Sequence, residues 1–376
     1  MDLNSNLYAA GGFTDSPLGY QGNSYVAKWN GVSWSKLGTG INALNANNAI
    51  FSILSDVYGN IYAAGAFQNA NGKEYVAKWD GNTWSEVGSG VNALNADSVI
   101  MTTIIDDSGQ IFAAGYFLDS SGYNYVAKWD GNTWSEVGTG INALNANAPI
   151  YTICMDKNKN LYAAGYFTNA NGSEYVAKWD GTSWSELGTG ANALNANADI
   201  LSICLDSNGN LYAAGEFTNL NPFSSIRDSG YTYVAKWNGI SWSSLPLNLN
   251  NSVSNWQIVT MHIDKDQNIY NAGWLQDTLY NWYVAKYGPL TTGITNLSSS
   301  QSISIYPNPT NDFININIDT KLVGTPYSII DNSGRIVKNG QLQNEKTQVD
   351  ICELPIGLYV LQIGNEAKQV FKVLKE

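Results

Sequence analysis

With 376 residues, 36 of them glycine, 23 tyrosine and 13 tryptophan, and only 13% charged, the chain has the composition of many short strands joined by tight turns, and it reads as all-β. Its net charge of -12 argues against nucleic acid or an anionic membrane face as partner, because both require clustered Lys and Arg. Cys154, Cys204 and Cys352 are too few for a disulfide framework, and no run of about 18 apolar residues crosses a membrane as a helix, so the fold must stand on packing.

Self-similarity starts almost at once. The string L/I-Y/F-A-A-G begins at Leu7, Ile61, Ile111, Leu161 and Leu211, with a diverged copy from Ile269 to Gly273. Y-V-A-K-W begins at Tyr25, Tyr75, Tyr125, Tyr175 and Tyr233, and returns as Y-V-A-K-Y at Tyr283. Each repeat of about 50 residues holds four apolar stretches, for example Ile150 to Met155, Leu161 to Phe167, Tyr175 to Trp179 and Trp184 to Gly188. Turn signals separate them at 156–160, 169–172 and Asp180-Gly181, which predicts a four-stranded meander. Such a sheet buries both faces only by stacking on neighbours around an axis, so residues 1–288 predict a β-propeller of six four-stranded blades.

The first and last blades are incomplete. Met1 aligns with Met155, at the end of a blade's first strand, and the last copy stops after its third strand at Tyr287. The expectation is a truncated chain, lacking an N-terminal piece with a signal peptide and the completing strands. Trp29, Trp79, Trp129, Trp179 and Trp237, with partners Trp34, Trp84, Trp134, Trp184 and Trp242, are expected to pack between neighbouring blades, with sugar stacking as the alternative. Lys28, Lys78, Lys128, Lys178, Lys236 and Lys286 lie on the face opposite the aromatics and are expected to pair with a repeated carboxylate. The repeat resembles the Gly/Trp-rich propeller repeats of secreted bacterial proteins and of the fungal cell-polarity marker family over roughly residues 1–287. That resemblance implies architecture and says little about ligand. Asp80-Gly81-Asn82-Thr83-Trp84 is similar to the sialidase Asp box, but its Asp-to-Trp spacing is one residue short, and it reads as a hairpin turn.

A Thr/Ser-rich stretch over 289–302 reads as a linker. From Ile303 onward, seven short alternating segments predict a small Ig-like β-sandwich over 303–376. Four pieces of it, in order, closely resemble the C-terminal sorting domain of the type IX secretion system of Bacteroidetes. They are Tyr306-Pro307-Asn308-Pro309, the Asp331-x-x-Gly334 hairpin, Leu354-Pro-x-Gly357-x-Tyr359 and Lys372-Val373-Leu374-Lys375. The resemblance implies that Tyr306, Pro307, Asn308, Pro309, Gly334, Gly357, Tyr359, Lys372 and Lys375 carry the sorting signal. It also implies that the secretion machinery is a partner and that the chain ends up secreted or on the outer-membrane surface.

Chemistry is sparse. His262, the one histidine, holds the position of Leu54, Ile104, Cys154 and Cys204 and is expected in the core, so no His-based metal site or Ser-His-Asp arrangement is evident. Asp264 to Asn268 starts like a calcium loop but lacks the Gly and Glu such a loop needs, and it reads as a turn. No cofactor and no metal is expected. A ring of identical blades has no unique site, so function must lie where the repeat varies. After the Gly of the first marker the residues run Gly12, Ala66, Tyr116, Tyr166, Glu216 and Trp274. An insertion over 219–231 adds Arg227 and Asp228, and Trp256 and Trp282 occur only in the last blade. Tyr116, Tyr166, Glu216, Arg227, Asp228, Trp256 and Trp274 are therefore the candidate ligand residues. They sit on the face that carries the second-to-third-strand and blade-to-blade loops. The leading expectation is a monomeric, non-catalytic propeller that binds a glycan or a protein. One alternative is a glycan-active enzyme pairing Glu216 with Asp199 or Asp119; another is a spacer without a ligand.

Overall fold

The computed structural model describes residues 6–16, 22–218, 234–245, 252–277, 281–288, 303–331, 334–364 and 369–376, which fall in two compact units, Met1–Gly288 and Pro289–Glu376. In the first unit, β1 (Leu7–Ala9), β2 (Ala27–Trp29) and β3 (Trp34–Lys36) form a three-stranded antiparallel sheet. Four four-stranded meanders follow. They are β4 (Ile50–Ser55), β5 (Ile61–Gly65), β6 (Ala77–Trp79) and β7 (Trp84–Glu86), then β8 (Ile100–Ile105), β9 (Ile111–Gly115), β10 (Ala127–Trp129) and β11 (Trp134–Glu136). Next come β12 (Ile150–Met155), β13 (Leu161–Gly165), β14 (Ala177–Trp179) and β15 (Trp184–Glu186), then β16 (Ile200–Leu205), β17 (Leu211–Gly215), β18 (Ala235–Trp237) and β19 (Trp242–Ser244). A sixth, three-stranded sheet holds β20 (Ser252–Ile263), β21 (Ile269–Asp277) and β22 (Ala285–Tyr287). The inner strands β4, β8, β12, β16 and β20 pack on one another in succession, so the unit is a β-propeller.

Packing explains the repeat. The second strand of each full sheet is buried along its whole length, on both faces. Its two alanines point to opposite sides: Ala163 joins a core with Val126, Val137 and Leu144 of the sheet before, and Ala164 one with Leu194, Ile203 and Leu211 of the sheet after. The closing Gly has a different reason. A bulge at the start of each inner strand brings a carbonyl oxygen so close that a Cβ on Gly215 would sit 2.0 Å from the oxygen of Asp199.

The tryptophans tie each of the four full sheets to its predecessor, as expected from their recurrence. Trp79 and Trp84 are cross-strand partners with rings 5.8 Å apart, and the Trp84 indole N–H donates to the Leu37 carbonyl oxygen at 3.0 Å. Trp134 donates to Val87, Trp184 to Val137 and Trp242 to Leu187 in the same way, at 2.9, 2.7 and 2.9 Å. Near the axis, hydroxyls of one inner strand serve backbone N–H groups of the next, as Ser52 does for Thr103 and Ser202 for Met261, both at 3.0 Å.

Two expectations are corrected. The repeated lysines do not pair with carboxylates among the described ion pairs; Lys78, Lys178, Lys236 and Lys286 lie over the rings of Tyr62, Tyr162, Tyr212 and Tyr270, and Lys128 over Phe112. The cross-strand register forces this, since Lys178 faces Tyr162 directly and a half-exposed ammonium needs only the ring's negative face. His262 is exposed rather than buried. Its equivalents Leu54, Cys154 and Cys204 pack against the following sheet, and among the described residues no sheet follows the sixth. Burial pushes the Cys204 thiol up to about 12 and raises Cys154 too, which fits inert, core-like sulfurs.

Both Asp-led turns are structural. Asp80 accepts from the N–H groups of Asn82 and Thr83, and Asp264 from those of Asp266 and Asn268, so the Asp-box-like string and the calcium-like string are self-satisfied turns. Asp106 differs. Its sheet carries Phe112 where others carry Tyr, and Lys159, at φ 66° in a column that among the described residues is otherwise held by Gly or Gln, reaches across from the next sheet to pair with it at 2.9 Å. Burial alone would raise the Asp106 carboxyl, but donors from Ser108, Lys159 and Gln110 outweigh it and bring it to about 2.

The second unit is a sandwich. One sheet runs β23 (Ser304–Tyr306), β24 (Phe313–Asn317) and β27 (Lys346–Asp350); the other runs β26 (Ile336–Gln341), β25 (Pro326–Ile330), β28 (Gly357–Ile363) and β29 (Gln369–Lys375). Ile314, Ile316, Ile329, Leu342, Leu361 and Val373 fill the space between them. The expected linker over 289–302 lies outside the described residues.

Trp179→Ala should destabilise the propeller by about 3 kcal/mol, the low end for a large aromatic because Trp179 is only partly buried. Trp184→Phe keeps one aromatic ring but loses the bond to Val137 and part of the indole's packing on Trp179, so about 1–2 kcal/mol is expected, less than for Trp179→Ala; urea unfolding of the two variants compares the effects. Asp106 has a folded-state pKa below its unfolded value, so its stabilisation is present above about pH 4 and disappears as the pH falls toward 2. The gap in Tm between wild type and Asp106→Asn should accordingly be full at neutral pH, begin to shrink below about pH 4 and close only as the pH falls to about 2.

Candidate ligand face and sorting domain

At the end of the propeller where the inner strands begin, the bulge fixes two neighbouring positions on each sheet. The residue after the marker Gly donates its N–H to the carbonyl of the residue before the inner strand, Tyr116 to Val99, Tyr166 to Pro149 and Glu216 to Asp199, at 2.9, 3.0 and 2.9 Å. Side chains in these two columns therefore lie side by side. Around the series the first column reads Gly12, Ala66, Tyr116, Tyr166, Glu216, Trp274 and the second reads Ala49, Val99, Pro149, Asp199, Gln257.

The polar and aromatic members gather in one sector. The Tyr116 hydroxyl lies 3.4 Å from that of Tyr151, with ring centroids 5.9 Å apart. Tyr151 faces Asp199, which lies beside Glu216, and the Gln257 amide donates to Glu216. Five side chains from four successive sheets thus form one chain of polar contacts. Burial, and next the charge of Glu216, push the Asp199 carboxyl above the usual range. Burial and the Tyr116 hydroxyl raise the Tyr151 phenol. Glu174, only 7% exposed, also faces this sector, and burial with the charge of Asp199 raises its carboxyl.

Of the residues expected from sequence, the structure draws Tyr116 and Glu216 into this chain. Tyr166 and Trp274 occupy equivalent positions and are 51% and 58% exposed, Trp274 with its ring edge-on to Trp282 at 5.7 Å. Arg227 and Asp228 lie outside the described residues, as does the Trp256 side chain. Asp119 is excluded as a partner of Glu216: its carboxylate accepts from the N–H groups of Ser121 and Tyr123 and caps its own turn. Tyr151, Glu174 and Gln257 escaped the sequence reading. Aligning the column Phe51, Met101, Tyr151, Leu201, Val259 would have exposed the first, and the Ala49 to Gln257 column the last. Among the described residues, no group of three acidic, Cys or His side chains could hold a metal.

A crevice of ≈ 480 Å³ lies elsewhere, between the third and fourth sheets, lined by Phe112, Lys128, Glu136, Lys159 and Trp179 among others. It lies where Phe112 lacks the hydroxyl of its tyrosine counterparts. Most of its lining repeats in other sheets, so it offers little unique chemistry.

In the second unit the motif residues divide between building and display. The Asn308 amide donates to the Lys372 carbonyl at 2.7 Å and its oxygen accepts from the Leu374 N–H at 2.9 Å, clamping the Tyr306–Pro309 segment to β29. The Tyr359 hydroxyl donates to the Pro355 carbonyl at 2.7 Å, Gly334 takes φ 82° in the turn led by Asp331, and the Lys375 ammonium, in a residue 6% exposed, donates to the Asn311 carbonyl. Tyr306, Pro307, Pro309 and Lys372 are exposed. Gly357 opens β28 with free space where a Cβ would be.

No curated protein sequence matches the chain. Among solved structures it is similar to PorZ, a surface component of the type IX secretion system of Porphyromonas gingivalis, at 14% identity and TM-score 0.48, over 100% of this chain and 58% of that one. It is also similar to the extracellular domain of the putative hybrid two-component system BT3049 of B. thetaiotaomicron, at 11% identity and TM-score 0.47, over 94% of this chain and 49% of that one. The chain therefore spans only about half the length of these proteins. Residues 304–375 match the secretion system C-terminal sorting domain. The second unit is thus a type IX sorting domain, and it marks the chain for export to the cell surface or release beyond it.

Proposed function

We propose that the exported propeller is a non-catalytic binding module that takes a glycan at the sector running from Tyr116 to Trp274. The observation that carries this reading is the confinement of unique side chains to one sector: Tyr116, Tyr151, Asp199, Glu216 and Gln257 in one chain of contacts, flanked by exposed Tyr166 and Trp274. Aromatic faces stack on sugar C–H surfaces, and carboxylates and amides accept and donate to hydroxyls, so the two kinds of group together suit a carbohydrate. The opposite arc offers only Gly12, Ala49, Ala66 and Val99 in the same columns.

A second reading rests on one observation. Asp199 and Glu216 are adjacent carboxylates, and Asp199 is held toward its protonated form, as a proton donor beside a base would be. A glycan array paired with hydrolysis assays on the same polysaccharides decides between them. Binding without turnover supports the module, turnover supports the enzyme, and neither leaves a spacer.

Trp274→Ala or Tyr166→Ala should weaken glycan binding by about 1–3 kcal/mol while leaving Tm nearly unchanged, because both rings are already largely in solvent. If Trp274→Ala lowers Tm as much as Trp179→Ala, the exposed aromatics are structural and the binding face loses its support. Deleting 303–376 should leave a folded propeller inside the cell envelope. Normal surface levels of that deletion variant, measured by surface labelling, would overturn the dependence of export on the tail.

A further inference from the structure

We propose that the outer rim of the propeller carries a second carbohydrate site, present twice and independent of the sector above: one crevice on the second sheet and one on the fourth, each taking a neutral sugar. A crevice of ≈ 360 Å³ on the second sheet is lined by Asn45, Asn69, Tyr75, Trp84 and Glu86 among others, a size that small ligands fill. These side chains are held in place without being used up. The Trp84 ring is fixed by its N–H bond to Leu37, and the Asn69 amide donates to both Glu86 oxygens at 3.2 Å, which leaves lone pairs of that carboxylate free. The Tyr75 ring packs edge-on against Phe67 at 4.9 Å, and among the described residues no hydrogen bond takes up its hydroxyl. Burial, and next the charge of Glu86, push the Tyr75 phenol up to about 12, so it stays a donor close to an acceptor it does not bond. A sugar hydroxyl closes that gap by accepting from Tyr75 and donating to Glu86, while the half-buried Trp84 ring offers apolar surface to the sugar's C–H groups.

Comparison between sheets separates this arrangement from what the fold needs. On the fourth sheet it recurs whole: Asn169 donates to both oxygens of Glu186 at 3.1 and 3.3 Å, Trp184 is fixed on Val137, and burial with the charge of Glu186 pushes the Tyr175 phenol up to about 12. The other sheets break it. On the first, Lys36 stands where Glu86 does, pairs with Asp15 at 2.6 Å and lies over the Tyr25 ring. On the third, Asp119 replaces Asn69 and caps the same kind of turn, as Asn69 does with the N–H groups of Asn71 and Lys73. It thereby sets a second charge near Glu136, whose carboxyl is raised by burial and next by Asp119. On the fifth, Ser244 replaces the glutamate. Every one of these sheets still forms its outer strand, so the amide–carboxylate pair of the second and fourth sheets has no packing duty. An acceptor pair steadied by an amide, a free phenol and a fixed indole suit a ligand rich in hydroxyls, and the carboxylate disfavours anionic sugars.

The test follows the indole N–H resonances of Trp84, Trp134, Trp184 and Trp242 in the isotope-labelled full chain, each assigned by replacing that residue with Phe. Methyl glycosides of glucose, galactose, mannose and N-acetylglucosamine are titrated into the millimolar range. At least one of them should shift Trp84 and Trp184 in parallel and leave Trp134 and Trp242 in place. Tyr75→Phe, which keeps the ring, and Asn69→Asp, which reproduces the pairing of the third sheet, should each weaken the Trp84 response about tenfold, the scale of one lost hydrogen bond to a charged group. The Trp184 response should stay unchanged in both variants and so report that they are folded; should Asn69→Asp fail to fold, Tyr75→Phe decides. Trp274→Ala should alter neither response, so the sector and the rim stand or fall separately. Movement of all four indoles alike, movement of none, or a Tyr75→Phe chain that responds like wild type overturns the proposal. Loss of both responses in Trp274→Ala also overturns it, by assigning the sugar to the sector alone.

Discussion

The whole propeller depends on burying a strand of small residues from both sides. Ala163, Ala164 and Gly165, like their equivalents, leave so little side-chain bulk that the neighbouring sheets must come close, and no isolated sheet could cover both faces. Aromatic side chains then span the gaps that remain. Each full sheet sends an indole N–H to a carbonyl of the sheet before it and rests a second indole on that sheet's Gly, as Trp179 does on Gly138. Specificity in the stack therefore comes from directional bonds laid over a non-directional apolar contact, repeated at every interface.

This economy limits where function can reside. Residues that every blade needs are spent on the interfaces, so only columns free of packing duty can diverge. The bulge at the head of each inner strand creates such columns: its backbone bonds are made by N–H and C=O groups, and the side chains are released toward solvent. The cost of using them is visible at Asp199 and Glu174. Two carboxylates pushed above their usual pKa by burial and by neighbouring charge oppose folding at neutral pH, since stability tied to a raised acid pKa is present at low pH and lost as the pH rises through it. Perturbed carboxylates of this kind are enriched at functional surfaces, which is why this sector stands as the candidate face.

The second unit follows a different logic. Its motif residues do not repeat, and several act as internal fasteners: the Asn308 amide on β29, the Tyr359 hydroxyl on Pro355 and the buried Lys375 ammonium on Asn311. Losing one of these would disturb the shape that presents Tyr306, Pro307, Pro309 and Lys372 to solvent, so display and architecture are coupled in the tail.

Periodicity alone determined the strand order, the six-sheet propeller with shorter first and last sheets, and the interblade role of the tryptophans, because a spacing of about 50 residues maps each packing requirement onto a fixed place in the string. Motif order likewise identified the sorting tail. Tertiary structure decided what depends on which side chain a neighbouring sheet presents. It turned the repeated lysines onto tyrosine rings instead of carboxylates, exposed His262, assigned Asp119 to its own turn and gathered Tyr151, Glu174 and Gln257 with Glu216. The lysine–ring contacts and the Tyr116–Tyr151 and Glu216–Gln257 contacts join residues about 15 to 40 positions apart, set by register and by the bulge, and a linear pattern of residue types carries neither.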